Sequence, residues 1–145
     1  MEWSSGEFVI STDRSRIDVE AVHRFLCNES YWAAGIPLET VRRSIEHALC
    51  FGMYHGELQA GFARVVTDFA TFAYVGDVFI VKEYRGRGLS KWLMGIVRNH
   101  PDLQGLRRWM LATRDAHGLY EQIGFTPLHS PDRWMEIRDY DVYQR

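Results

Sequence analysis

Apolar and polar residues alternate over 7–12, with Phe8 and Ile10 on one face, which predicts a first strand. The period then lengthens. Val22, Phe25 and Leu26 form a stripe behind Asp18, a natural N-cap, and predict a helix reaching about Cys27. Residues 28–36 follow neither period and hold Tyr31, Trp32 and Gly35; Pro37 then suits the first turn of a second helix, where Val41, Ile45, Ala48 and Leu49 recur at helical spacing. From Cys50 the pattern shortens. Residues 50–54 and 58–67 read as strands around a His55-Gly56-Glu57 hairpin turn. Asp68-Phe69 turns the chain into 71–81, a long strand candidate rich in aromatic and β-branched residues. Residues 88–99 return to a helical period, with Leu89, Trp92, Leu93, Ile96 and Val97 on one face, and stop at His100-Pro101. A strand over 106–112, a short helix over 115–123 ended by Gly124, and a last strand over 134–138 complete the pattern.

This order, β-α-α-β-β-β-α-β-α-β, predicts an α/β fold of the α+β type. Its central sheet is mixed and mostly antiparallel, with helices on both faces. The crossover through 88–99 makes 71–81 and 106–112 parallel neighbours on the right-handed side. With 145 residues, 46% hydrophobic and 25% charged, the chain reads as a single globular domain over 1–145, without linker, repeat or low-complexity stretch. A chain of this size buries roughly 68–70% of its extended surface, enough for a full core without metal or disulfide staples. Cys27 and Cys50 could form one bridge at most and neither lies in a CxxC pair. The start is short and polar, bracketed by Glu2 and Glu7, and no apolar run approaches the roughly 18 residues of a membrane span. A reduced, cytoplasmic setting away from membranes is the expectation.

Net charge is −2, yet its distribution is uneven. Between Lys82 and Arg114 stand eight basic residues and two acidic ones, a net +6 that leaves −8 on the remainder. Most of these cations are Arg, which suits bidentate phosphate contacts better than Lys.

The segment 78–91 sits inside this basic third. An apolar strand runs through a turn holding Gly86 and Gly88 directly onto an amphipathic helix. Glycines let a backbone curl close to an oxyanion, and the free N–H groups of a first helical turn point at it, so the segment reads as an anion cradle. It is no dinucleotide fingerprint, because Lys91 stands where the third glycine of Gly-x-Gly-x-x-Gly belongs, and its spacing is not that of a Walker loop. Downstream, 113–125 is a strand end followed by a short helix with Tyr120 inside it and Gly124-Phe125 closing it. Read alone, Tyr120 would be a core tyrosine packed on Phe125.

Together the two segments resemble the GNAT N-acetyltransferase superfamily. Arg85-Gly86-Arg87-Gly88-Leu89-Ser90 fits that family's acyl-CoA motif, [Arg/Gln]-x-x-Gly-x-[Gly/Ala], apart from the final Ser. Ala116, Tyr120, Gly124 and Phe125 fit its later motif, Asn-x-x-Ala-x-x-x-Tyr-x-x-x-Gly-Phe, with Thr113 in place of the Asn. The resemblance spans roughly 8–137 and is specific over 78–125. It implies that the backbone of Val78, Phe79 and Ile80 pairs with the pantetheine arm of acetyl-CoA like an added strand. It implies also that the amides from Gly86 through Arg87, Gly88, Leu89 and Ser90 to Lys91 hold the pyrophosphate. Arg87 or Lys91 would add charge, Ser90 a hydroxyl, and Thr113 a contact to pantetheine.

By the same resemblance Tyr120 is the general acid that protonates the leaving thiolate, its own ionisation a candidate for the alkaline limb of the rate profile. Asp77, just ahead of the pantetheine-pairing residues, is the first choice of base, with Glu83, Asp115 and His117 behind it; Asp115 is also expected as the N-cap of the Tyr120 helix. Tyr31 and Trp32, with residues 129–133, occupy places where this family shapes its acceptor site.

His47, Cys50 and His55 have a loose metal-like spacing, but strand alternation and a missing fourth ligand argue against zinc, and no metal is expected. No Gly-x-Ser-x-Gly context supports a covalent acyl-enzyme. Trp92 and Trp109 amid the arginines would be the stacking groups of a nucleic-acid patch. Trp92 lies on the apolar stripe of its helix and overall charge is negative, so no nucleic-acid partner is expected. The expectation is an acetyl-CoA-dependent N-acetyltransferase acting by direct transfer to a primary amine, with a homodimer as its candidate assembly. The −8 remainder favours a cationic acceptor, and the runner-up is a non-catalytic acyl-CoA-binding or sensing domain.

Overall fold

Two apolar faces of one sheet decide where the helices go. The structure, a computed structural model, describes residues 1–144. Its six strands are β1 (Glu2–Ser5), β2 (Phe8–Ser11), β3 (Leu49–His55), β4 (Leu58–Thr67), β5 (Phe72–Ile80) and β6 (Arg108–Met110), adjacent in that order. Each pairs antiparallel with the next except β5 and β6, which are parallel, as the crossover requires. Helices α1 (Val19–Asn28) and α2 (Leu38–Glu46) cover one face through Val22, Phe25, Leu26, Val41 and Ile45, packed with Cys50, Phe62 and Phe79. Helix α3 (Leu89–Arg98) covers the other through Leu89, Leu93, Met94 and Val97, with Tyr120 and Ile123 of α4 (His117–Ile123) beside it.

Local chemistry sets the ends of these elements. Asp18 caps α1 by accepting from Ala21 N at 3.0 Å. Asp68 accepts from the Thr71 hydroxyl at 2.6 Å and from the amides of Thr71, Ala70 and Phe72, which holds its carboxyl well below the usual carboxylate range and turns β4 into β5. Gly124, at φ +111°, closes α4 in the left-handed conformation.

Four expectations need correction. Strand β1 went unpredicted because Glu-Trp-Ser-Ser carries no period; it forms through the tight turn at Gly6, φ +58°. Helix α2 stops at Glu46, and Leu49 opens β3 rather than finishing the helix. The 106–112 strand shrinks to three residues because the chain leaves β5 after Met110. The last strand over 134–138 is absent: a 3₁₀ turn, Pro131–Arg133, leads into chain without regular structure or a ladder. The alternation there is real, but a period of two selects faces and supplies no hydrogen-bonding neighbour. No helix among the described residues is long and apolar enough to cross a membrane.

Candidate active site

β5 is paired to β4 as far as Ile80, yet to β6 only from Phe72 to Tyr74. From Val75 to Ile80 its other edge takes no strand among the described residues. The two parallel strands have parted, and the gap exposes unpaired backbone of the kind an extended ligand can join. A bulge marks the parting: Arg64 pairs with Gly76 and Phe62 with Phe79, so Asp77 and Val78 together stand opposite Ala63. Asp77 takes φ +54°, a left-handed conformation that Asp tolerates better than most residues. The side chains of Phe79 and Ile80 are buried, Phe79 stacked on Phe25 at 4.0 Å, which leaves their backbone as the part available to a ligand.

Beyond Ile80 the chain turns into α3. Gly86 (φ +81°) and Gly88 (φ +74°) are both left-handed, with open space where a Cβ would stand. The amides from Gly86 to Lys91 have no acceptor among the described residues, and α3 adds the positive end of its dipole. Arg85 ties this turn to the strand by donating from Nε to the Ile80 carbonyl at 2.9 Å. Arg87 rests over the Tyr84 ring, 5.5 Å from its centroid. Such a cradle fits a pyrophosphate.

A cleft of about 790 Å³ brings Tyr31, Trp32, Asp77, Val78, Thr113 and Tyr120 together. The cradle, from Gly86 to Lys91, and the Phe79 and Ile80 side chains do not line it. Tyr120 is half-buried against Phe125, and its hydroxyl has no partner among the described residues. Burial, reinforced by Tyr31 and Asp115, pushes its pKa up to about 12. Asp77 is the best-held group in the cleft: Oδ2 accepts from Arg64 Nε at 2.7 Å and Oδ1 from Trp32 Nε1 at 2.9 Å. Tyr31 is held too, its Oη accepting from Arg114 N at 2.9 Å while the Arg114 guanidinium lies 3.9 Å from its ring centroid.

Thr113 Oγ1 accepts from Ala116 N at 3.1 Å, so Thr113 organises the start of α4. Asp115, the expected N-cap, is exposed and paired with Arg114 at 3.6 Å instead; Ala116 is the N-cap. Asp115 stands one residue ahead of the cap position, and Thr113 Oγ1 takes the Ala116 amide in its place. His117 and Glu83 are exposed and outside the cleft. Of residues 129–133, His129, Ser130 and Arg133 line a separate groove. His55 and Cys50 lie at opposite ends of β3, roughly 17 Å apart at 3.3 Å per residue, and burial pushes the Cys50 thiol up to about 12. Trp92 and Trp109 are both half-buried against the core, so neither is a free stacking platform.

Arg64, Glu136 and Arg138 are among the charged lining residues that escaped the sequence reading. Arg64 had a signal: one cation in an otherwise apolar strand demands an acidic partner when half-buried. Glu136 and Arg138 reach the cleft from the C-terminal segment, and nothing in their local pattern marks them.

Residues 46–127 match the family model described as an acetyltransferase (GNAT) domain. A protein of Gibberella zeae with a provisional acetyltransferase name is 31% identical over 140 residues, covering 81% of this chain and 78% of that protein. Among solved structures, a GNAT-family protein of Xanthomonas campestris pv. campestris, provisionally an acetyltransferase, aligns at TM-score 0.94 with 51% identity, over 98% of this chain and 100% of that one. A Clostridium acetobutylicum protein assigned as an acetyltransferase and solved with acetyl-CoA aligns at TM-score 0.64 with 16% identity, over 90% and 94% of the two chains. That last likeness is one of fold.

Proposed function

The chain belongs to the GNAT acetyltransferase family, and on that premise we propose that it moves an acetyl group from acetyl-CoA directly onto a primary amine. The observation that carries the reading is the parting of β5 from β6, which leads an unpaired strand edge to the glycine cradle at one end and to the Tyr120 cleft at the other.

The backbone of Val78, Phe79 and Ile80 would hold the pantetheine arm, and the amides from Gly86 to Lys91 the pyrophosphate, with Arg87 and Lys91 adding charge and Ser90 a hydroxyl. Thr113 spends an Oγ1 lone pair on Ala116 N and keeps its O–H to donate. Acetyl-CoA supplies an activated acyl group as a thioester. Tyr120 holds a proton on Oη at any working pH, because its phenol titrates only at about 12. A free thiol titrates at about 8.5, so full transfer between the isolated groups would run uphill. The phenol therefore acts first as a hydrogen-bond donor to the departing sulfur. Exclusion of water raises the sulfur's basicity as it does the phenol's, and lets the proton follow.

Asp77 takes the proton of the incoming ammonium on a lone pair that Arg64 and Trp32 leave free. Tyr31 and Trp32 form the wall against which the acceptor lies. Direct transfer needs no protein nucleophile, and Cys50, buried with its thiol at about 12, is a poor one. The test is incubation with acetyl-CoA and a panel of small amines and peptides, read by mass spectrometry. An acceptor gaining one acetyl group on nitrogen is expected; binding of CoA without any acetylated amine overturns the reading in favour of a sensing domain.

A further inference from the structure

Arg64 is held through one of the five N–H groups that a guanidinium carries. Nε donates to Asp77 Oδ2 at 2.7 Å, and the groups on Nη1 and Nη2 find no acceptor among the described residues. The side chain is only 20% exposed, and a guanidinium so far withdrawn from water ordinarily spends its donors on protein. Neither Nη is sealed in, since among the described residues only the Tyr54 phenol is a fully buried side-chain polar atom without a partner. Arg64 lines the cleft, and its unspent donors open there.

The neighbours keep those donors clear. Across the ladder stands Gly76, where a Cβ would lie 3.8 Å from Arg64 Nη2, so the bare glycine leaves that approach open. A fork able to grip both oxygens of a carboxylate here grips one, because Trp32 Nε1 holds Asp77 Oδ1 at 2.9 Å. Three arginines, Arg64, Arg114 and Arg138, and three carboxylates, Asp77, Asp115 and Glu136, line the cleft together. That balance differs from the excess of negative charge outside 82–114, which alone pointed to a cationic acceptor. Arg114 is 65% exposed, and water answers its free donors; Arg64 has mainly the cleft.

We infer that the acceptor is an amine carrying an oxyanion on a neighbouring carbon, as an α-amino acid does, with its ammonium on Asp77 and its oxyanion on the free edge of Arg64. This choice of acceptor rests on the acetyl transfer proposed above. Asp77 and Arg64 touch at 2.7 Å, so a ligand meeting both must hold its own two charges close together. Four charges of alternating sign then close a ring, each beside its opposite. An amine without the anion sets its ammonium next to Arg64 with nothing to offset the repulsion. In the transfer itself the nitrogen bonds the acetyl carbon as the carbon–sulfur bond breaks. One ammonium proton passes to Asp77, and a second replaces the proton that Tyr120 gives the sulfur.

The test sets L-α-amino acids against their own α-amides and decarboxylated amines, and phosphoethanolamine against ethanolamine, each with acetyl-CoA and thiol release as the readout. For an accepted amino acid, kcat/KM is expected about 10–100-fold above that of its amide. The same preference shown by phosphoethanolamine alone supports the inference and makes the oxyanion a phosphate. Arg64→Lys keeps a cation for Asp77 and loses the fork, so the ratio is expected to collapse toward one, whereas a merely structural Arg64 would lower both rates equally. Should that variant misfold, Gly76→Ala, whose methyl narrows the approach to Nη2, is expected to shrink the same ratio. Amides or simple amines turned over as well as their oxyanion-bearing counterparts, or a ratio unmoved in the folded variant, overturn the inference and leave the acetyltransferase reading standing. CoA binding with no amine acetylated overturns both.

Discussion

The phenol of Tyr120 and the carboxylate of Asp77 share one cleft but differ in how they are held: among the described residues the first has no hydrogen-bond partner, the second has two. Tyr120→Phe keeps the ring against Phe125 and removes only the proton, so kcat should fall about 10²–10⁴-fold with CoA affinity unchanged. Because the phenol titrates at about 12, its ionisation cannot shape the rate profile near neutrality. The alkaline limb below about pH 10 should stay in place in the variant, a refinement that the motif alone did not give. Asp77→Asn still accepts from Trp32 but leaves the half-buried Arg64 without its anion, costing up to about 3 kcal/mol in thermal unfolding. If Asp77 is the base, kcat also falls about 100-fold or more. A destabilised variant turning over at the wild-type rate would reduce Asp77 to a positioning residue. Tyr120 was legible because its motif fixes its place; Arg64 was not, since its partner lies across a bulge that no local pattern announces.

At the scale of elements, the turn from β5 to α3 carries the glycine cradle. Gly88 sits at φ +74°, where a β-branched residue is strained by at least about 1–2 kcal/mol and relaxes by withdrawing its amide. Gly88→Val should abolish CoA binding in calorimetry while circular dichroism stays native; retained affinity would mean the cradle is not the phosphate site. The stop after α3 has its own consequence. His100 is buried against Trp3 and Phe51, Nδ1 accepting from Asp102 N at 3.1 Å, and burial lowers its pKa below the usual 6.5. The unfolded chain then binds the proton more readily, so the His100 contribution is complete above about pH 6.5 and is lost as pH falls below it. Melting temperature should decline between about pH 7 and 5.5, and His100→Asn, which keeps an acceptor for Asp102 N, should flatten that decline. Strongly periodic elements such as α1, β4 and α3 were readable almost to the residue. Strand β1, with no period, and the unpaired 134–138 segment were not, because pairing is decided by neighbours distant in sequence.

Across the whole molecule the basic third is divided among separate places, Arg114 lying in the cleft on Tyr31. Arg87 and Lys91 stand at the cradle, whereas Arg98 and Arg108 line the groove beside β6, each over a tryptophan ring. Charge counting along the chain takes in the cradle and the groove alike and does not separate them. The parallel crossover was legible from element order, yet the gap that matters arises because β6 is only three residues long, a tertiary outcome. Parted strands, cradle and phenol together make an acetyltransferase only if an amine draws the acetyl group away. The direct measurement is the rate at which free CoA thiol appears from acetyl-CoA, with and without each amine of a panel. Release that depends on one class of amine and saturates with it is the predicted result. Tight CoA binding with thiol release at the background rate for every amine would contradict the account.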